Sequence, residues 1–377
     1  MTSALVLSLL MTAAGLVAAQ GGRTCNATSL CPSSAPCCSE FGFCGSGPQF
    51  CLGGCNPLWS NKPASCEPNP ICKDATYKFP DSTLSNILSN STLYDGNATA
   101  HDFVLEKGNV FNTGQNGGEL VLTLTEANGG TRISSTRYVH YGTISATIRT
   151  SKWAGVVTAF ITMSDAKDEI DWEWPGAQVT EAQTNYFWLG VANYSATQGT
   201  TVKGLSDTYV NYHNYTIDWQ EDELNWLIDG NVVRTLKRAD TLSSTIPGRY
   251  EYPSTPARIQ LSLWPAGINT SAQGTIDWAG GMIDWKDPDY VAAGQFSAIV
   301  KEVSVKCAPL TGVVNASAMT SYTYSANDSA GIPVVQVTNQ STLLGGAILG
   351  VSVGNSFWLG MGASMLCAIA GVFSTVL

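Results

Sequence analysis

Seven of the chain's eleven cysteines, Cys25, Cys31, Cys37, Cys38, Cys44, Cys51 and Cys55, fall within 31 residues. A segment that short buries too little apolar surface to fold unaided and needs covalent staples. Thiolate metal binding is the competing use of such a cluster. It belongs to reducing compartments and favours CxxC pairs, of which this segment has none. The expectation is a small disulfide scaffold, residues 20–56, on a secreted chain. His101, His140 and His213 are far apart, without metal-ligand spacing, so neither a metal nor a cofactor is expected.

Both ends agree with secretion. Residues 1–19 carry no charge and hold an apolar run ending in Val17-Ala18-Ala19, which reads as a signal peptide cut after Ala19. After Asp328 no charged residue follows, and Phe357 to Leu377 is almost wholly apolar. Small residues at Asn327 to Gly331, a polar stretch and an apolar tail match a glycolipid (GPI) anchor signal. Attachment is expected between Asn327 and Ser341, with 309–330 a linker and 331–377 the removed signal. Nine Asn-x-Ser/Thr sequons, at Asn26, Asn90, Asn97, Asn193, Asn214, Asn269, Asn315, Asn327 and Asn339, fit the same route. The expected location is extracellular, at the outer face of the plasma membrane or in the cell wall. The net charge of −10, without a basic run, excludes nucleic acid and anionic membrane surfaces as partners.

Residues 57–76 hold four prolines and read as a linker or extended leading strand. From 77 to 308 the chain is a succession of short alternating strands broken by Gly, Asn, Asp and Pro. Gly142–Ile148 alternates in this way, and Asn225–Ile228, Asp229-Gly230-Asn231 and Val232–Val233 read as strand, turn and strand. The predicted fold class is all-β: a β-sandwich jelly roll catalytic domain preceded by the small disulfide-rich module.

The most informative stretch is Asp168-Glu169-Ile170-Asp171-Trp172-Glu173-Trp174-Pro175-Gly176. In a strand, Glu169, Asp171 and Glu173 share one face and Ile170, Trp172 and Trp174 the other. Three acids on one face repel, which raises the pKa of at least one carboxyl and keeps it protonated. A carboxylate nucleophile beside a protonated acid is what glycoside cleavage with retention requires. The residues at the two ends of this run lie roughly 13 Å apart along an extended strand, so their carboxyls meet only over a concave sheet. A calcium site is the competing reading; its ligands come more often from loops, and the interleaved Ile/Trp/Trp marks a strand buried on its other side. In Arg258–Trp264, positions 258, 260, 262 and 264 share a face, with Ile259, Leu261 and Leu263 opposite. Gln260 and Trp264 are expected to line the cleft, joined by Thr275 and Trp278. Tyr186, Trp188, Trp219 and Trp226 are open between cleft and core.

Two resemblances sharpen this. Cys37-Cys38-Ser39-Glu40-Phe41-Gly42-Phe43-Cys44-Gly45, then Phe50-Cys51, resembles the hevein-like chitin-binding module of carbohydrate-binding family 18. The resemblance implies pairings 25–38, 31–44 and 37–51, among which spacing alone does not choose. It also implies a site in which Ser39 meets the N-acetyl group and Phe41, Phe43 and Phe50 stack on sugar faces. The competing role for one or two of these Phe is a miniature core. Cys55 would then pair most simply with Cys66. With Cys367 in the tail, the leftover cysteines suggest a 72–307 bridge.

The Glu169-Ile170-Asp171-Trp172-Glu173 strand resembles family 16 glycoside hydrolases. Trp174-Pro175-Gly176, Gly274–Gly281 and the order of module, catalytic domain and anchor signal resemble the fungal Crh (Utr2-like) branch. That implies Glu169 as nucleophile, Glu173 as acid/base and Asp171 as the group tuning both. In that branch the position of Gln260 is often basic. It implies a monomeric cell-wall transglycosylase that cuts chitin and passes it to β-glucan or chitin. A simple endo-hydrolase of chitin or β-1,3/1,4-glucan and a non-catalytic wall-binding protein are the alternatives.

Overall fold

In the computed structural model the described residues are 22–115, 117–191 and 199–344. The expected signal peptide, Asn193 and the apolar tail with Cys367 lie outside them. Two sheets of eight strands each make up most of the described fold. One runs in the order Asn231–Lys237, Glu223–Ile228, His213–Trp219, Gly142–Arg149, Phe296–Cys307, Leu120–Leu124, Val110–Asn112, with Ala75–Lys78 also paired to Phe296–Cys307. The other runs Thr200–Lys203, Glu181–Phe187, Glu169–Pro175, Val156–Ser164, Ala257–Pro265, Thr131–Val139, Phe103–Lys107, Ile87–Leu88. Helices are short, as in Gln273–Trp278 and Pro288–Ala293.

The period-two pattern builds the core. In Gly142–Arg149, Ile144, Ala146 and Ile148 are buried, while the residues between them are only partly so. Trp172 and Trp174 stack at 6.1 Å in the space between the sheets and meet Tyr215 from the opposite sheet. Each such aromatic contributes on the order of 2–3 kcal/mol through its burial. Tyr186, Trp188, Trp219 and Trp226 are all buried. The Glu223–Ile228 and Asn231–Lys237 strands join through Asp229 and Gly230, both at positive φ (49° and 81°). This is the turn whose twist suits a two-residue hairpin.

The disulfides link Cys25 to Cys38, Cys31 to Cys44, Cys37 to Cys51, Cys55 to Cys66 and Cys72 to Cys307. In the module, short strands Cys37–Cys38 and Cys44–Gly45 pair around these bridges.

The expected linkers are folded. Within 57–76, Asn69–Pro70 pairs with Ser321–Asn327, which pairs in turn with Pro333–Thr338, giving a third sheet of three strands. Residues 309–330 and the described part of 331–377 are thus not plain spacer. The cause lies in Ser321-Tyr322-Thr323-Tyr324, where alternation buries Tyr322 and Tyr324 completely despite the polar composition. The range expected for lipid attachment, Asn327 to Ser341, runs through the last strand of this sheet.

Candidate active site

Strand register assembles the site. Glu169 lies opposite Met163 and Phe187, Asp171 opposite Ile161 and Asn185, and Glu173 opposite Ala159 and Gln183. One strand further, Met163 is opposite Arg258, Ile161 opposite Gln260, Ala159 opposite Ser262 and Val157 opposite Trp264. Residues directly opposite share a face of the sheet. The three acids, Gln260 and Trp264 therefore lie on the same face, with Ile170, Trp172, Trp174, Ile259, Leu261 and Leu263 in the core behind them.

The strand is held from behind and from its start. Trp226 Nε1 donates to the Asp171 carbonyl oxygen (3.0 Å) and Trp172 Nε1 to the Thr216 carbonyl oxygen (3.2 Å). Asp168 is buried and accepts from the amides of Leu189 (2.9 Å), Ser254 (2.9 Å) and Thr255 (3.0 Å) and from the Thr255 hydroxyl (2.7 Å). These bonds fix the turn that leads into Glu169.

The three carboxyls are pushed apart in proton affinity. Burial, then the charges of Glu169 and Glu173, raise the Asp171 pKa well above the carboxylate range. Burial also raises the Glu169 pKa, but a hydrogen bond from Asp171 and the charge of Lys167 partly offset it. Burial, then the charge of Glu169, push Glu173 up to about 8, with a hydrogen bond from Trp264 pulling partly back. At neutral pH the strand thus offers, in Glu173, a carboxyl that holds its proton and, two residues before Asp171, Glu169, whose ionised form the Asp171 hydrogen bond and Lys167 favour. That division is the chemistry of acid-assisted nucleophilic displacement.

Trp264 and Trp278 stack at 6.0 Å beside the Glu173 end of the face, and Trp278 Nε1 donates to Gln183 Oε1 (2.8 Å). Gln183 is the residue opposite Glu173. Thr275 stands on the same short helix as Trp278, one turn before it. Gln260 is buried, and its Nε2 has no hydrogen-bond partner among the described residues. In the module Phe41 and Phe43 are exposed (66% and 43%). Phe50 is half-buried against the Cys37, Cys51, Cys55 and Cys66 cluster, a position nearer to the miniature core than to a free platform. Ser39 is buried, and its Oγ accepts from the Phe43 amide (3.3 Å).

Sequence reasoning missed Asp168, Asp165, Glu40 and Glu106. A buried carboxylate clamp has no period of its own; the one visible signal for Asp168 was an acid directly before a strand that already carried three.

The family model for Glycosyl hydrolases family 16 matches residues 97–280. Crh-like protein 2 of Aspergillus fumigatus is 43% identical over 334 residues, covering 87% of this chain and 72% of that protein. Crh-like protein 3 of Botryotinia fuckeliana is 41% identical over 319 residues, covering 85% and 69%. Among solved structures, the Crh5 transglycosylase in complex with NAG superposes with a TM-score of 0.56 at 30% identity, covering 72% of this chain and 95% of that one. The fold, the acidic strand and these likenesses agree, and the chain belongs to the Crh-like glycosyl hydrolases of family 16.

Proposed function

We propose that this enzyme cleaves chitin with retention and passes the released glycosyl unit to a hydroxyl of β-glucan or chitin, cross-linking the cell wall. The observation that carries the reading is the division of labour on one strand: Glu173 keeps its proton to about pH 8 while Asp171 donates a hydrogen bond to Glu169. In this mechanism Glu169 attacks the anomeric carbon as Glu173 protonates the departing oxygen. The glycosyl–Glu169 ester forms and the glycosidic bond breaks. Glu173, now ionised, takes the proton of the acceptor hydroxyl as that oxygen displaces Glu169.

The stacked Trp264 and Trp278 suit sugar faces, and Gln260 Nε2 suits a sugar hydroxyl or acetamido oxygen. Thr275, on the helix that carries Trp278, completes the binding set. The solved Crh5 protein is a transglycosylase and holds NAG, the sugar unit of chitin, which favours chitin as donor and transfer as outcome. Phe41 and Phe43, with Ser39 and Phe50 supporting, hold the module to solid chitin. The signal peptide and glycolipid anchor place the enzyme, as a monomer, outside the cell beside its polymer, raising local concentration without new contacts in the site.

The test incubates the secreted protein ending at residue 344 with chitin oligosaccharides and a fluorescent β-glucan or chitin acceptor, with Glu169→Gln alongside. Labelled polymer that is absent from the variant supports transfer. Shortened, unlabelled chains reassign the chain as an endo-hydrolase, and no turnover in either sample favours the wall-binding alternative.

A further inference from the structure

Two loops of the disulfide module rest on the same sheet face as the acidic strand. Glu40 Oε1 pairs with Arg132 Nη2 (3.1 Å) and Glu40 Oε2 with Arg258 Nη2 (3.1 Å). The two arginines are themselves bridged from below by Glu106, at 2.5 Å and 2.7 Å. The second loop places the Gly54 amide 3.0 Å from Asp165 Oδ1 and 3.1 Å from the Tyr138 hydroxyl, and Asn69 Nδ2 reaches Asp165 Oδ2 at 2.7 Å. Gly54 has φ +88°, and a Cβ there would lie 2.9 Å from the Glu40 Cβ and 3.0 Å from Arg258 Nη2. The approach is that close only because glycine stands at this position.

Arg258 shares its register row with Met163 and Glu169, two strands away, and Arg132 shares the row of Ser262, Ala159 and Glu173. Adjacent strands are spaced by about 4.8 Å, so Arg258 starts roughly 10 Å from the acidic strand and Arg132, one strand further, roughly 14 Å. The Arg258 side chain is only 6% exposed under this contact, whereas that of Arg132 is 34% exposed at its edge. A sugar chain lying across the strands from the acids toward Thr131–Val139 therefore meets the module after a short run.

We propose that the docked module is the end wall of the cleft, and that Glu40, through Arg132 and Arg258, sets where along a glycan the enzyme cuts. The proposal rests on the glycan-cleaving reading above and deepens it. The side of the scissile bond facing Thr131–Val139 holds a fixed, small number of sugars, and the opposite side runs over Glu181–Phe187 and Thr200–Lys203, away from the module. The wall makes the enzyme measure from a chain end or a short overhang instead of cutting at random inside a polymer. It also gives Glu40 a purpose that glycan stacking does not, since its two neighbours Ser39 and Phe41 belong to the module's own sugar site.

The test compares wild type with Glu40→Arg and Glu40→Gln in the full secreted protein. Three disulfides lie within the module and a fourth, Cys55–Cys66, ties it to the next segment, so a charge reversal at this contact undocks it without unfolding it. Initial products from a ladder of reducing-end-tagged chitin oligosaccharides are read by mass spectrometry, and amide exchange at Gly54 reports docking. We expect wild type to release one dominant product size whatever the oligomer length. Glu40→Arg should spread the same total cleavage over several positions, with fast exchange at Gly54, and Glu40→Gln should lie between. A wild type that cuts evenly at internal bonds overturns the proposal, as does a Glu40→Arg protein with fast exchange at Gly54 and an unchanged product pattern. Protected Gly54 in Glu40→Arg overturns the part assigned to Glu40. A wild type that turns over no glycan instead removes the proposed function and the cleft wall with it, while amide exchange still shows whether the module is seated.

Discussion

Trp226, on one sheet, donates its indole N–H to the carbonyl oxygen of Asp171, on the other, at 3.0 Å. The bond crosses the core directly behind the middle acid, so sandwich packing and carboxyl placement are one problem. Trp226→Phe deletes the donor and the five-membered part of a fully buried ring. We expect a loss of about 2–3 kcal/mol in stability, of which the bond is about 1. We also expect kcat to fall several-fold with KM little changed, because the strand and not the sugar contacts is disturbed. Thermal unfolding and steady-state kinetics on one preparation check this; a lowered melting temperature with unchanged kcat would limit the bond to a structural role.

Removing Glu173 and removing Glu169 should differ in kind. Glu173→Gln loses the acid and should slow cleavage by roughly 10²–10⁴-fold on natural glycans. It should recover much of that rate on an aryl glycoside whose leaving group needs no proton. Glu169→Gln should be inactive on both. Equal losses on both substrates for the Glu173 variant would contradict its assignment as acid.

The pH profile of kcat/KM should fall on the alkaline side near 8, where Glu173 loses its proton. Glu173→Gln should abolish that limb while leaving the acid limb, which belongs to ionisation of Glu169. Stability carries the same sign. The carboxyl has an ordinary value of 4.5 and sits near 8 in the fold. Its contribution to stability is complete below about 4.5 and is lost as pH rises through about 8. Chemical denaturation at pH 5 and pH 9, with Glu173→Gln as reference, measures it.

The three module Phe should separate into two classes. Phe41→Ala, at an exposed ring, should weaken binding to insoluble chitin several-fold and leave thermal stability within about 0.5 kcal/mol. Phe50→Ala, at a ring packed on the disulfide cluster, should destabilise the module as well. Pull-down on chitin beads beside thermal scans distinguishes them; equal destabilisation by both changes would argue that Phe41 is part of the miniature core.

Cys72 and Cys307 are 235 residues apart in sequence and bonded. Replacing both by Ser should cost about 2–5 kcal/mol, because the unfolded chain regains a long loop's freedom. Calorimetry of the double variant should show a melting temperature lower by roughly 5–20 °C. A change of a degree or two would mean that the sheet edges already hold the ends.

The sandwich was legible because alternation is a local property: Ile144, Ala146 and Ile148, or Ile170, Trp172 and Trp174, declare a buried face within one strand. The acids were legible for the same reason. Trp264 and Gln260 followed from period two, whereas Trp278 comes to the site through a short helix whose place depends on the whole fold. The folded segment at 321–338 was missed because its first strand, Ser321–Asn327, is mostly Ser, Thr and Asn, and Tyr322 and Tyr324 are its large buried side chains. Glu40 was read as part of a sugar-binding motif, since its partners Arg132 and Arg258 are 92 and 218 residues away in sequence. No local pattern reports a contact of that range.

The Cys72–Cys307 bond also closes the two-sheet domain into a covalent ring. A single peptide cut in any loop between those residues opens the ring without yielding two molecules. Both pieces stay attached through sulfur, and the sheets that straddle the cut keep their pairing. A protease must cut twice to carry a fragment away, so nicked and intact enzyme remain one species until a reductant reaches that one bond.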